Sequence, residues 1–200
     1  GIVLSIGVFS SRNIVPLKGS VPQFSFKLTK RNKKSGGILM IFQDDNSLDM
    51  HIDPKYIFMD FEAENDMDAI KKMAANLNKE GVVKESFISA ILEREKNFCT
   101  GLQFDEAGIA IPHTDTQHVN LPAVSIAVLK NPLSFQEMGT PGTKVNVEII
   151  FMLAIKAAHS QVEFLQTLMT EFQKNGVLTS LIQSESKNEL LNKFKILLRK

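Results

Sequence analysis

The chain has 200 residues, a formal net charge of +1 and 44% hydrophobic residues. These values are typical of globular proteins and exclude a wholly disordered or fibrous chain. The near-neutral charge gives no general basis for nucleic-acid binding, and no apolar run reaches the roughly 18–20 residues of a membrane span. The single cysteine, Cys99, excludes an internal disulfide framework and a cysteine-rich zinc site. Together these features predict a soluble, cytoplasmic, globular protein.

The first 39 residues differ in charge from the rest of the chain, because they hold seven basic and no acidic residues. The remainder carries 16 basic and all 22 acidic residues, a net charge of −6. The cluster KLTKRNKKSGG resembles a patch for nucleic acid or another anionic surface. We favour the alternative that it is a solvated leader or extension foreign to the domain. Residues 1–50 are therefore expected to form a basic leader, and residues 51–200 the functional domain.

The domain begins with a pattern for one strand and two helices. KYIFMDF (55–61) is a short aromatic and aliphatic run, which is typical of a strand. Asn65 or Asp66 can cap the helix that follows, and Gly81 stands where a helix ends. A second helix is predicted over about residues 84–95. Apolar side chains recur at helical spacing in both helices: Ile70, Met73, Leu77, Phe87, Ile88, Ile91 and Leu92.

Three strands and a helical C-terminal third follow. The strands are GIAIP (108–112), AVSIAVLK (123–130) and VNVEIIFMLAI (145–155), the last long and apolar enough for a central position. A capping box opens the last helix at Ser186. Helices on both sides of a strand-rich middle predict an α/β layered sandwich with a mixed β-sheet. Asn175-Gly176 is expected to end the first C-terminal helix, and a short turn with Val177, Leu178, Leu181 and Ile182 is expected to follow it. The apolar positions of the two predicted helices are Val162, Leu165, Leu168, Met169, Phe172, Leu190, Leu191, Phe194 and Leu197.

Two of the four histidines stand where a strand ends. His113 follows GIAI and Pro112, whose fixed φ and missing N–H make the chain leave the sheet with a stiff backbone. His159 follows the predicted central strand and precedes a helix. Side chains at strand ends can face a ligand or partner, and two such histidines on one sheet can converge. His51 and His118 are interpreted as ordinary hydrogen-bonded surface residues.

Other kinds of site find little support in the sequence. His113, Asp115 and His118 lie in a turn at a spacing that is weak for a metal site, and no HxxxH helix accompanies them. Cys99 could act as a nucleophile, but a packed free cysteine is the commoner case. No Gly-rich phosphate loop is present, so no nucleotide, metal or other cofactor is expected.

Two segments of the chain resemble one protein family. ILEREKNFCTGLQFDEAGIAIPHTD (91–115) and VNVEIIFMLAIKAAHSQVEFLQTLMTEF (145–172) are similar to the enzyme IIA domain of the fructose/mannitol type. These domains are phosphocarriers of the bacterial phosphoenolpyruvate-dependent sugar phosphotransferase system. The resemblance extends over roughly residues 55–198. Within the family, the spacing between Arg94 and His113 is most similar to that of galactitol-type proteins.

The resemblance implies a role for each matching residue. His113 corresponds to the histidine that accepts a phosphoryl group from phospho-HPr on its tele nitrogen and passes it to a cysteine of enzyme IIB. His159 corresponds to a second histidine that stabilises the phosphoryl group, and Arg94 to an arginine that positions it. The sugar itself would enter through the IIC membrane permease. The family often has a carboxylate or amide six residues before the first histidine, where this chain has Ala107, with Glu106 beside it.

The chemistry of these side chains fits such a carrier. One imidazole nitrogen can attack phosphorus while the other holds a proton. An arginine can donate a fork of two hydrogen bonds to phosphate oxygens, which lysine cannot. Two other functions stay open at this point. The domain could be phosphorylated at His113 and control transcription or other enzymes, or it could be a non-enzymatic α/β interaction module.

Overall fold

A computed structural model describes the backbone of residues 50–198 except residues 141 and 157, and leaves out the side chains of residues 158–161. The predicted leader, residues 1–50, lies outside the described residues apart from Met50. The helices are α1 (Asp66–Lys79), α2 (Ser86–Asn97), α3 (Ala158–Phe172), α4 (Val177–Ile182) and α5 (Lys187–Leu197). The strands are β1 (Ile57–Phe61), β2 (Gly101–Gln103), β3 (Gly108–Ala110), β4 (Ala123–Gln136) and β5 (Lys144–Ala154).

The two N-terminal helices begin and end close to the predicted residues. Asn65 caps α1 by accepting a 2.9 Å hydrogen bond from the Asp68 backbone N–H, which satisfies one of the free donors of the first turn. Gly81 has φ = 75°, the left-handed conformation that favours glycine just after a helix. Five α1 side chains are buried on one face, as the periodicity predicts: Ala69, Ile70, Met73, Ala74 and Leu77.

The five strands form one mixed sheet in the order β1-β4-β5-β3-β2. The pairs β1–β4 and β3–β5 are parallel, whereas β4–β5 and β2–β3 are antiparallel. The predicted central position of β5 is confirmed. Because β3 and β5 run in the same direction, their carboxyl ends lie at the same edge of the sheet.

Helices cover both faces of the sheet, so the predicted layered sandwich is also confirmed. On one face, α1 and α2 pack around a cluster that includes Met73 and Phe87. On the other, α3, α4 and α5 pack around Phe151, which contacts the rings of Phe172 and Phe194 at centroid distances of 4.7 and 5.6 Å. The sheet thus buries its apolar side chains in two separate cores.

Gly108, the first residue of β3, is required by a close approach of two strands. A Cβ atom at this position would lie 2.2 Å from the backbone oxygen of Asn146 in β5. Gly101 at the start of β2 is similar, since its Cβ would lie 2.6 Å from the Gln136 backbone oxygen. Gly101 and Gly108 therefore both allow strands to pack without a side chain between their backbones.

One strand was not predicted, and two sequence-based expectations were wrong in detail. Thr100-Gly101 leads into strand β2, which was not predicted because three residues are too few to show an alternating pattern. Strand β4 does not end at residue 130 but continues to Gln136, past Pro132, with a register irregularity between Val128 and Leu133 that accommodates the proline. Val162 is exposed rather than part of the buried stripe of α3.

Candidate active site

His113 lies at the carboxyl edge of the sheet, just beyond β3. The Pro112 carbonyl accepts a 2.9 Å hydrogen bond from the Leu153 N–H, and His113 is aligned with Leu153 near the end of β5. The strand pairing therefore continues up to the histidine and fixes its backbone. The residue is only 9% exposed, so the imidazole has few positions that it can adopt.

The hydrogen bonds of His113 define its tautomer. Nδ1 lies 2.8 Å from the backbone oxygen of Ile111, and Nε2 lies 3.2 Å from Nη2 of Arg94. A carbonyl oxygen only accepts and a guanidinium only donates. Nδ1 therefore carries the proton, and Nε2 presents its lone pair. This is the arrangement in which Nε2, the tele nitrogen, is the nucleophile.

The surroundings of His113 also favour the neutral form of the imidazole. Burial lowers the pKa of His113 below its ordinary value of 6.5, and the positive charge of Arg94 lowers it further, although the hydrogen bond to Ile111 acts in the opposite direction. A neutral imidazole retains the lone pair that a nucleophile needs. The geometry and the electrostatics thus favour the same reactive form.

We expect an NMR titration of His113 to give a midpoint below 6.5. Because the folded pKa is depressed, the unfolded chain binds more protons between the two pKa values. His113 therefore contributes stability that is fully present above pH 6.5 and is lost as the pH falls towards the folded pKa. A midpoint at or above 6.5 would contradict the buried, arginine-paired geometry.

Arg94 reaches His113 from the last turn of α2. The center of its guanidinium lies 5.3 Å from the centroid of the exposed Phe98 ring, a distance typical of a cation–π contact. Its Nε is buried and has no hydrogen-bond partner among the residues that the structure describes. The side chain is thus held by an aromatic ring and one ring nitrogen, which leaves donors available for a further acceptor.

Glu95 and Thr100 connect the end of α2 to the start of β2. The Glu95 carboxylate accepts hydrogen bonds from the Thr100 N–H at 3.0 Å and from its hydroxyl at 2.8 Å. This pair was not predicted from the sequence, although one signal was available. Glu95 follows Ile91 by four residues, as Ile91 follows Phe87, and a spacing of four places all three on the same, buried face of α2.

His159 is the second residue of α3, which begins four residues after the end of β5. Its backbone is thus placed shortly beyond the strand end that is aligned with His113. The His159 side chain lies outside the described residues. The structure therefore brings Arg94 and His113 together, while the contribution of His159 stays a prediction.

The remaining candidates do not assemble into a site. His118 bonds through Nδ1 to the Ser86 hydroxyl at 2.9 Å, and His51 is exposed. In the part of the chain that the structure describes, no group of three or more His, Cys, Asp or Glu side chains could hold a metal ion. Burial raises the pKa of the Cys99 thiol, which disfavours the thiolate that a cysteine nucleophile requires.

Glu106 has a structural contact away from His113. Its carboxylate accepts hydrogen bonds from the backbone N–H groups of Gly176 and Thr179 and from the Thr179 hydroxyl, the latter two at 3.0 and 3.1 Å. The backbone hydrogen bonds lower the pKa of Glu106. This carboxylate thus stabilises the start of α4.

Within the described ranges, no helix is both long and apolar enough to cross a membrane.

Two curated relatives are similar in sequence to this chain. The transcriptional regulator ManR of Bacillus subtilis (strain 168) is 30% identical over 134 residues, which cover 67% of this chain and 19% of that protein. The galactitol-specific EIIA component of the phosphotransferase system from Escherichia coli (strain K12) is 28% identical over 102 residues, covering 51% of this chain and 67% of that protein. The chain thus spans only about a fifth of the regulator's length.

The fold is shared with solved enzyme IIA structures. The complex of enzyme IIA and phosphorylated enzyme IIB for mannitol from Escherichia coli contains a chain that is 21% identical and superposes with a TM-score of 0.60, covering 73% of this chain and 98% of that chain. The family described as "Phosphoenolpyruvate-dependent sugar phosphotransferase system, EIIA 2" matches residues 50–196. The chain belongs to this EIIA 2 family, whose members are phosphotransferase components.

Proposed function

We propose that this chain is a phosphocarrier that accepts a phosphoryl group from phospho-HPr on Nε2 of His113 and passes it to the cysteine of a cognate enzyme IIB. The observation that carries this proposal is the pair of contacts of the His113 ring, which place the proton on Nδ1 and direct the Nε2 lone pair at an arginine. In the first step, the Nε2–P bond forms as the P–N bond to the HPr histidine breaks. The proton on Nδ1 stays there throughout, donated in the hydrogen bond to the Ile111 backbone oxygen.

Arg94 would exchange one acceptor for another during this step. Before the reaction its Nη2 donates to Nε2 of His113. Once Nε2 is bonded to phosphorus it can no longer accept, whereas the phosphoryl oxygens can. The guanidinium then donates to those oxygens and stabilises their charge. Nε of Arg94, which has no hydrogen-bond partner within the described part of the chain, would supply a second donor for this purpose.

His159 would supply a further donor to the same phosphoryl group. Its place at the second position of α3, shortly after the strand aligned with His113, supports this role. An N–H of the imidazole would stabilise the phosphoryl oxygens without forming a covalent bond. His159 is therefore proposed as a stabilising residue and His113 as the acceptor.

Reconstitution tests the proposal. The purified chain is incubated with enzyme I, HPr and labelled phosphoenolpyruvate, and the enzyme IIB candidates are then added. We expect one acid-labile phosphoryl group per chain, mapped to His113 and lost on addition of the cognate IIB. Cys99→Ser and His118→Ala serve as controls, and both should label normally. Label that is acid-stable or mapped to another residue would contradict the proposal.

A regulatory role is the second candidate, favoured by the similarity to the transcriptional regulator ManR. In that case His113 would accept the phosphoryl group, but no IIB protein would remove it at a useful rate. The same chase experiment separates the two functions. Complete absence of labelling would instead favour a non-enzymatic interaction module.

The wider assignments follow from the carrier proposal. Transfer through IIB to a IIC permease would couple the chain to sugar uptake, and the similarity to a galactitol-specific component supports galactitol as the first sugar to test. We propose a cytoplasmic location, because the phosphoryl donor is made there, and no role in nucleic-acid binding. The family match from residue 50 supports a domain over residues 51–200, preceded by a leader that is not part of it.

A further inference from the structure

A continuous path of hydrogen bonds joins a buried carboxylate to the proposed phosphoryl acceptor. Glu95 accepts from the N–H and the hydroxyl of Thr100. The Thr100 carbonyl accepts from the Ile111 N–H at 3.1 Å, and the Ile111 carbonyl accepts from Nδ1 of His113 at 2.8 Å. Each of the four residues thus contacts the next, from the end of α2 to the imidazole.

Glu95 is also the chain neighbour of the residue on the other side of the imidazole. Glu95 follows Arg94 in the last turn of α2, and Arg94 donates to Nε2 of His113. Both ring nitrogens of His113 are therefore connected to Glu95: Nδ1 through Thr100 and Ile111, and Nε2 through Arg94. A shift of the helix end relative to the strands would alter both contacts together.

The burial of Glu95 makes this arrangement unusual for a purely structural residue. The residue is 4% exposed, and it shares the buried face of α2 with Phe87 and Ile91. Burial raises the pKa of its carboxyl group, while the hydrogen bonds from Thr100 act in the opposite direction. A buried carboxylate is costly unless it is fully bonded, and an apolar residue would fill the same space without that cost.

We propose that Glu95, acting through Thr100, is a positioning residue that holds Arg94 and His113 in the register needed for phosphoryl transfer. This inference rests on the proposed phosphocarrier function and extends it to a residue that touches neither the phosphoryl group nor the imidazole. The Glu95–Thr100 contact fixes the end of α2 against the start of β2. Since β2 pairs with β3, the contact also fixes the strand that leads to His113.

The test compares Glu95→Gln with the matched variant Glu93→Gln. Glu93 lies on the other side of Arg94 and is exposed, and its contacts are to Asn97 and Lys96 within the same helix. We expect Glu95→Gln to slow phosphorylation of His113 by about tenfold, because small displacements of reacting groups cost large factors in rate. Glu93→Gln should be unchanged. Thr100→Val should reproduce the loss, and Thr100→Ser, which retains the hydroxyl, should recover most of the rate.

Nitrogen-15 NMR of the His113 ring gives a readout that needs no phosphoryl donor. In the wild type and in Glu93→Gln, we expect a single tautomer with the proton on Nδ1. In folded Glu95→Gln or Thr100→Val, a mixture of tautomers should appear and the titration midpoint should differ from that of the wild type. If Glu95→Gln does not fold, Thr100→Val decides the question by the same criteria.

The outcomes separate this inference from the carrier proposal. The positioning role would be overturned if folded Glu95→Gln kept the wild-type tautomer and titration midpoint of His113, whatever its transfer rate. If Glu95→Gln does not fold, the same result in Thr100→Val would overturn it. Equal slowing by Glu93→Gln would also overturn it, because the effect would then belong to charge alone. If wild-type His113 accepts no phosphoryl group, the carrier proposal fails, and a mixed tautomer in the variants would still show that Glu95 positions the ring.

Discussion

The His113→Ala variant is expected to take up no acid-labile phosphoryl group from phospho-HPr. Nε2 of His113 is the proposed nucleophile, and alanine offers no atom that can form the P–N bond. The variant should otherwise fold, since the strand contact near this position is made by the Pro112 carbonyl and the Leu153 N–H. Labelling with phosphoenolpyruvate, enzyme I and HPr measures the effect, with circular dichroism as the check on folding.

The His159→Ala variant gives the internal comparison for this prediction. It should still accept the phosphoryl group on His113 but pass it poorly to enzyme IIB, because it removes a stabilising donor rather than the nucleophile. Full labelling of His113→Ala, or label mapped to His159, would reverse the proposed roles of the two histidines. If neither variant changed labelling, both histidines would be ordinary strand-end residues.

The Arg94→Lys variant should slow phosphoryl transfer about a hundredfold, which corresponds to on the order of 3 kcal/mol for the loss of one donor at such a site. Lysine keeps the positive charge but has neither the planar fork nor the contact area for the Phe98 ring. Its ammonium group cannot both reach Nε2 of His113 and present a second fixed donor. Rapid-quench measurement of His113 phosphorylation tests this directly.

Lys96→Arg is the matched control for Arg94→Lys. Lys96 lies in the same helical turn, and its ammonium pairs with Glu93 rather than with the site. This variant should transfer at the wild-type rate. If Arg94→Lys were equally unaffected, Arg94 would be a helix-end charge with no part in transfer.

Periodicity and capping were sufficient to predict most of the fold. The helix that begins after Asn65 and the central strand β5 are set by patterns of many residues, and both are present. Strand β2 could not be predicted, because its three residues are held by pairing with β3, which is not a local property. The extension of β4 past Pro132 likewise depends on its neighbour β5.

The site could be predicted only in part. The resemblance identified His113 and Arg94, and the structure places them in hydrogen-bond contact. The tautomer of His113 could not be predicted, since it is set by the backbone oxygen of Ile111. Every residue has a backbone oxygen, so the sequence does not show which of them accepts the proton. Glu95 was overlooked for a related reason: its partner Thr100 lies across a loop, and only the folded chain shows that this carboxylate is buried.

The resting hydrogen bond from Arg94 to Nε2 of His113 gives the site a means of discriminating between electrophiles by their charge. The lone pair that would attack is already engaged, so any reagent must first displace the guanidinium. An anionic phosphoryl group offers oxygens that attract the guanidinium away, whereas an uncharged electrophile offers nothing in exchange. Under the proposed function, a histidine whose lone pair is engaged in this way would react with anionic phosphoryl donors in preference to uncharged electrophiles.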